Sequence, residues 1–301
     1  MKKVNPKNPQ TEYVEEDLAE DIKLDLSDSE DDDNIKLDPS ISQFDPETLP
    51  QGFFMIVVAP RRSGKSEKIQ SLLNDIYKSK KQRFDYVFLF SATDAGFEGQ
   101  IPPTYRFRDL AHLPYVCNKQ AEVRNYNLSV KDKKKRVKSR VLIVLDDIIA
   151  EEKGPNSLRN NSIIRKLAVN GRHLGNDGVD GNGISVILIS QAAKSIPKTI
   201  RMQTDVIVVG RISSRVERTT IVEEFCTLKS DREGLRKAYS LFDNITLSNP
   251  FRFIVISNHI PNKKKERDFI SYIDGTWPTV QQRLFGDSTD WETPRSTQEI
   301  F

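Results

Sequence analysis

Gly52-Phe53-Phe54-Met55-Ile56-Val57-Val58-Ala59-Pro60-Arg61-Arg62-Ser63-Gly64-Lys65-Ser66 is the stretch whose reading decides the fold. Its first half is a continuous apolar run, the mark of a strand buried on both faces and hence of a parallel sheet covered by helices. Its second half, Ala59 to Ser66, has the form of a phosphate-binding loop in the required context, strand before and helix after. The helix is expected over 65–80, where Ile69, Leu72, Leu73 and Ile76 recur at helical spacing. Backbone N–H groups of such a loop (Ala59, Arg61, Arg62, Ser63, Gly64, with Pro60 contributing no donor) wrap a β-phosphate, and the helix N-terminus adds its positive end. Lys65 is expected to reach β- and γ-phosphate oxygens of ATP, and the Ser66 hydroxyl to ligate Mg²⁺. Ala59 stands where the motif usually has its first glycine, so cradling survives if that backbone does not need positive φ.

Working outward, apolar strands are expected at 85–90, 141–145, 184–189, 206–209 and 253–256, and helices at 157–172, 214–226 and 230–243. Alternation of this kind predicts an α/β domain built on a parallel sheet. The 141–145 strand runs into Asp146-Asp147. Parallel strands open their C-terminal ends onto the ligand crevice, so Asp146 is expected beside the phosphate loop, holding the Mg²⁺ hydration shell. Asp147 would orient or deprotonate the attacking water. The next strand ends in Ser190-Gln191, and the Gln191 amide is placed to sense the γ-phosphate. If the enzyme forms a ring, an arginine finger from a neighbouring subunit is expected, with Arg172 and Arg201 as the two candidates.

The 301 residues are 37% hydrophobic and 30% charged, enough apolar content for a real core. No run approaches the roughly 18 apolar residues of a membrane span, and no secretory leader is expected. Cys117 and Cys226 lie far apart without a CxxC spacing, and His112, His173 and His259 are scattered. Neither a disulfide framework nor a zinc site follows, and a reducing intracellular setting is expected. The net charge of +3 hides an asymmetry: residues 1–50 hold 15 acidic and 5 basic residues, the remainder 28 acidic and 41 basic. Two parts are therefore expected, an acidic disordered tail over 1–50 and a P-loop ATPase domain over 51–301. A basic body points to a polyanionic partner, against which the tail can compete. The run 131–140, rich in Lys and Arg, reads equally as a DNA contact, an import signal or a solvated loop. The loops 153–162 and 192–201, which leave the nucleotide edge, are the preferred DNA-facing elements. The Gly/Asp/Asn-rich insert 174–183 reads as a flexible turn, since Asp177 and Asp180 lack calcium-loop spacing.

Together these residues resemble the genome-packaging ATPases of large eukaryotic DNA viruses and their relatives, including poxviruses, virophages and polinton-like viruses, a branch of the FtsK–HerA superfamily. The resemblance covers roughly 51–260 and rests on residues 52–66, on Val-Leu-Ile-Val-Leu-Asp-Asp (141–147), on Gly171-Arg172-His173 before Ile-Ser-Val-Ile-Leu-Ile-Ser-Gln (184–191), and on Ile196-Pro197 and Ile200-Arg201. The insert 174–183 makes the spacing between Arg-His and the following strand longer than in the family pattern. The resemblance implies a RecA-like P-loop core, assembled as a homo-oligomeric ring, that drives double-stranded DNA into a preformed capsid at the expense of ATP. It also implies capsid or portal-vertex proteins as partners and an infected host cell as the setting, in a cytoplasmic viral factory, the nucleus or the virion.

Two other classes compete. A small-molecule kinase would use the basic 131–140 as a lid, and DNA-stimulated hydrolysis separates it from a motor. A non-enzymatic nucleotide switch or capsid-assembly factor would bind ATP with negligible turnover. A GTPase is disfavoured because Asn262-Lys263-Lys264-Lys265 has Lys where a guanine-specific loop needs Asp.

Overall fold

A computed structural model describes residues 37–78, 84–92, 97, 99–136, 140–147, 161–174, 183–229 and 231–274. The expected central strand, β1 (Phe54–Val58), is buried at all five positions. It lies in the interior of an eight-stranded sheet, flanked by parallel β5 (Ser185–Ser190) and parallel β6 (Val206–Val209). Beyond β5 come β4 (Val141–Asp146), β2 (Tyr86–Ser91) and the two-residue β3 (Arg106–Phe107), all parallel. Beyond β6 come β7 (Phe253–Ser257) and β8 (Ile270–Ile273).

Helix α1 (Lys65–Lys78) follows the phosphate loop and buries Ile69, Leu72, Leu73 and Ile76. Helix α3 (Ser162–Asn170) starts later than expected, because the Asn161 side chain caps it by accepting from the Ile163 and Ile164 N–H groups. Helix α4 (Lys198–Arg201) is a single turn after β5. Helix α5 (Arg215–Ile221) runs into a π-helical turn, Val222–Cys226, and α6 (Arg232–Leu247) is capped by Asp231. Helix α2 (Leu113–Ser129) was not expected at all. Its inward positions include Gln120 and Asn127 beside Leu113, Val116 and Val123, so the apolar period is broken where the sequence would announce it.

The sheet is mostly parallel, as expected, with a departure at one side. β7 pairs antiparallel with β6, and β8 antiparallel with β7. The cause is the pair of helices between β6 and β7. Arg218 bonds Asp243 at 3.1 Å and Tyr239 bonds Thr219 at 3.0 Å, which ties α5 and α6 together as a hairpin. Two helices returning on one another bring the chain back to the edge it left, so β7 must run the other way.

The expected tail boundary also moves. Ile41, Phe44 and Leu49 are buried in the core. The Phe44 N–H donates to the Tyr272 carbonyl at 2.8 Å and the Tyr272 N–H to that of Ser42 at 3.2 Å. Residues 37–50 therefore belong to the folded body. The disorder expected for the rest of the tail falls on 1–36, outside the described residues, as do 275–301, 148–160 and 175–182. No described helix is long and apolar enough to cross a membrane.

Leu49 tests the new boundary. Its side chain has no solvent exposure, so Leu49→Ala is expected to lower unfolding free energy by ~2–5 kcal/mol in a urea titration. A change within error would return residues 37–50 to the tail.

Candidate active site

Three strand ends meet at one edge of the sheet. β1 delivers the loop from Ala59 onward, and both neighbours hold its root. The Ala59 N–H donates to the Ser190 carbonyl at 3.2 Å, and the Gly210 N–H to that of Val58 at 2.9 Å. Within the loop, Arg62 (φ +59°) and Gly64 (φ +82°) take left-handed backbone, whereas Ala59 does not. That answers the question raised by the missing first glycine: position 59 needs no positive φ. The methyl group finds its room at Gly210, where a Cβ would stand 2.8 Å from Ala59 Cβ and 2.9 Å from the Phe253 ring.

The Lys65 ammonium folds back across the loop, donating to the carbonyls of Ala59 (2.7 Å) and Pro60 (2.8 Å). Ser63 Oγ also donates to Pro60 O at 2.7 Å. Half-burial lowers the Lys65 pKa, while the charges of Asp147 and then Asp146 oppose the shift. Asp146 is the last residue of β4, opposite Ser91 and Ile189, and only 8% exposed. Burial, then the neighbouring Asp147, push its pKa up to about 6 against the pull of Lys65. Asp147 turns sharply out of the strand at φ +52°, a conformation that Asp tolerates better than most residues. Its carboxylate accepts from Gln191 Nε2 at 2.6 Å, and Gln191 Oε1 accepts from Arg61 Nε at 3.0 Å. Phosphate loop, acidic pair and the residue after β5 are thus joined by side chains.

Lys65, Asp146, Asp147 and Gln191 therefore gather where sequence reasoning puts them. Ser66 occupies the first turn of α1. The donors offered to a cation, a hydroxyl and a carboxylate, are few and hard, which suits Mg²⁺, an ion that keeps waters and shares substrate phosphate oxygens. The contact of Arg61 with Gln191 was not foreseen, because motif spacing says nothing of where a loop side chain points. Glu217 was also missed: its Oε2 accepts from the N–H groups of Ala193 (2.5 Å) and Lys194 (3.2 Å) and so pins the loop after β5.

The two arginine candidates part company. Arg201 is 8% exposed, with its fork on both oxygens of Glu224 (2.9 and 2.7 Å) and Nη1 on the Ile196 carbonyl at 2.6 Å. A side chain so engaged within its own chain must give up these bonds to reach a neighbour, which argues against Arg201 as the finger. Arg172 lies in the turn Gly171–His173, before β5, at the edge opposite the phosphate loop. Gly52, at φ +66°, lets it approach, since a Cβ there would stand 2.6 Å from Arg172 Cα. It borders a cleft of about 240 Å³ with Asp205, Met202 and His259. Lys133–Lys135, from the basic run, form an exposed turn ahead of β4, away from the nucleotide edge.

The family model of the poxvirus A32 protein matches residues 41–276. The chain belongs to that family. No curated protein sequence matches it. Among solved structures, it is similar to the genome packaging NTPase B204 from Sulfolobus turreted icosahedral virus 2 in complex with ATP-gammaS, at 13% identity over 74% of this chain and 96% of that one, TM-score 0.47. It is also similar to the pCW3 conjugation coupling protein TcpA, at 14% identity over 83% of this chain and 64% of that one, TM-score 0.46. A third is the cytoplasmic domain of the Thermomonospora curvata type VII secretion ATPase EccC, at 14% identity over 82% and 28%, TM-score 0.44. The A32-family chain is an ATPase with a RecA-like P-loop fold. One strand, β5, separates the phosphate-loop strand from the acidic strand, which leaves room for the terminal phosphate between them.

The raised pKa of Asp146 gives a pH signature. The folded state holds this proton more tightly than the unfolded chain, so ionisation destabilises the fold as pH rises through about 6. In chelator, Asp146→Asn is expected to stabilise the protein above pH 7 by on the order of 2 kcal/mol, with the gain vanishing toward pH 4. Thermal melts across that range check it; a pH-independent difference would mean that Asp146 is not desolvated.

Proposed function

We propose that this chain is an ATP-driven translocase of double-stranded DNA that packages a viral genome, working as a homo-oligomeric ring. The observation that carries the reading is the convergence of Lys65, Asp146, Asp147 and Gln191 at one sheet edge in a chain of the A32 family. The excess of basic residues beyond position 50 agrees with it.

Each residue then has a task. Backbone N–H groups from Arg61 to Ser66 face the triphosphate, the Ala59 N–H being held by β5, and Lys65 exchanges its two carbonyl partners for β- and γ-phosphate oxygens. Ser66 and Asp146 would hold Mg²⁺, which when bound neutralises phosphate charge. Asp147 positions the attacking water and takes its proton. Because Gln191 grips the Asp147 carboxylate at 2.6 Å, the base is restrained until that contact opens. Gln191 thereby links the state of the γ-phosphate to the loop 192–201, whose exposed Lys194 and Lys198 face outward as DNA contacts. Arg172 is assigned as the finger that completes the neighbouring subunit's site. Capsid or portal-vertex proteins dock the ring, and the infected cell is its setting.

One observation favours a second reading, a nucleotide switch with negligible turnover: the same Gln191–Asp147 bond, if it never opens, disables the base. Turnover with and without double-stranded DNA separates the two. Hydrolysis is expected, and DNA is expected to stimulate it. Lys65→Ala should abolish turnover without unfolding the chain, and Asp147→Asn should bind ATP and retain it unhydrolysed. Wild-type hydrolysis by Lys65→Ala would remove the site assignment altogether.

The finger assignment is tested by mixing. Arg172→Ala is expected to bind ATP normally and lose on the order of 10³-fold in turnover. Combining it with Lys65→Ala protein should restore part of the activity, since some interfaces then pair an intact loop with an intact arginine. No recovery in subunit-exchanging mixtures would rule Arg172 out.

A further inference from the structure

The residues described so far serve phosphates, metal and water; none serves the nucleobase. Topology says where the base must go. Asp146, Asp147 and Gln191 stand at the ends of β4 and β5, on one side of β1. A triphosphate whose terminal phosphate faces them directs its ribose and base to the other side of β1, toward β6 and β7. Because β7 is antiparallel, its start lies at the phosphate-loop edge. The turn 248–252 that leads into it borders the loop: a Cβ on Gly64 would stand 3.7 Å from Phe251 Cδ1. Phe251 keeps 36% of its surface exposed, whereas Phe253, two residues on at the start of β7, is buried.

This aromatic ring is carried on a braced turn. Asn249 Oδ1 accepts from the Phe251 N–H at 3.0 Å, and the Asn249 carbonyl accepts from the Arg252 N–H at 3.0 Å. The Arg252 guanidinium places Nε and Nη2 on Asp274 Oδ1 (2.9 and 2.7 Å) and Nη1 on Ser248 Oγ (2.8 Å). The Asp274 carbonyl in turn accepts from the ammonium of Lys68, which sits in the first turns of α1. Phosphate helix, turn and the end of β8 are one bonded unit, so the ring is held at a set height beside the loop.

We propose that Phe251 is the stacking platform for the nucleobase of the bound nucleotide. The inference rests on the nucleotide-binding reading of the phosphate loop and adds the subsite for the base. A π-face without hydrogen-bonding groups selects by ring area rather than by base edge. The platform therefore favours purine over pyrimidine nucleotides and contributes little to telling adenine from guanine.

The test measures equilibrium binding of ATP, CTP and inorganic tripolyphosphate to the full chain with Mg²⁺. Phe251→Ala is expected to weaken ATP binding on the order of 10-fold, to weaken CTP less, and to leave tripolyphosphate unchanged. Phe251→Tyr should bind ATP as wild type does, and Phe251→Leu, which keeps apolar volume without a π-face, should resemble Ala. Wild-type ATP affinity in the Ala or Leu variant would overturn the proposal. Equal loss of ATP and tripolyphosphate would overturn it too, since the turn would then merely support the loop. Failure of the wild-type chain to bind either ligand would sink the nucleotide reading itself, a result distinct from the other two.

Discussion

Everything at the functional edge depends on β1 being hydrogen-bonded on both sides by strands that run in its own direction. Parallel pairing forces the ends of β1, β4 and β5 to emerge together, so residues from widely separated parts of the chain meet without any long-range motif to bring them there. The apolar run that makes β1 a strand is thus also what aims the loop. Full burial of that strand leaves no freedom in register, because a slip by one residue would shift the loop relative to both neighbours.

The site stores a balance of unfavourable charges. Asp146 is pushed toward its neutral form by burial and by Asp147, while Lys65 draws it back, and Lys65 is itself half-buried. Among the described residues the lysine settles on two carbonyl oxygens and Asp147 on a neutral amide. Groups arranged in this way are relieved by a ligand that brings both negative phosphate and a cation, which is the sense in which the site is built for what it binds. The left-handed turns at Arg62 and Asp147 cost of order 1 kcal/mol each and persist because the surrounding strands over-determine them.

Much of this was legible beforehand, for identifiable reasons. β1, β2, β4, β5, β6 and β7 are continuous apolar runs of four or more residues, and each was found where its run lies. The acidic pair and Gln191 follow from a rule about where parallel strands end. What escaped had no local signature. Helix α2 turns polar side chains inward, β3 is two residues long, and strand direction in β7 is set by a helical hairpin, not by the strand. Arg201 looked available because its charge is visible in sequence while its partner Glu224, 23 residues on, is not marked as such. The motif around the phosphates says nothing of Phe251 or Glu217, both of which come from other elements of the chain.

The contact between residues 42–44 and Tyr272 has a consequence for how shortened versions of the protein behave. β8 is the last strand of the sheet, and its outer side would present unpaired N–H and C=O groups to any other chain. The single parallel bridge at Gln43 and the two flanking backbone bonds cover that rim. Cutting the chain after residue 45 removes the cover together with the acidic residues. Such a fragment is prone to associate rim to rim, and a mass measurement on it would report oligomers that owe nothing to ring assembly. A cut before residue 37 keeps the rim covered, and only with it in place does the association state bear on the proposed ring.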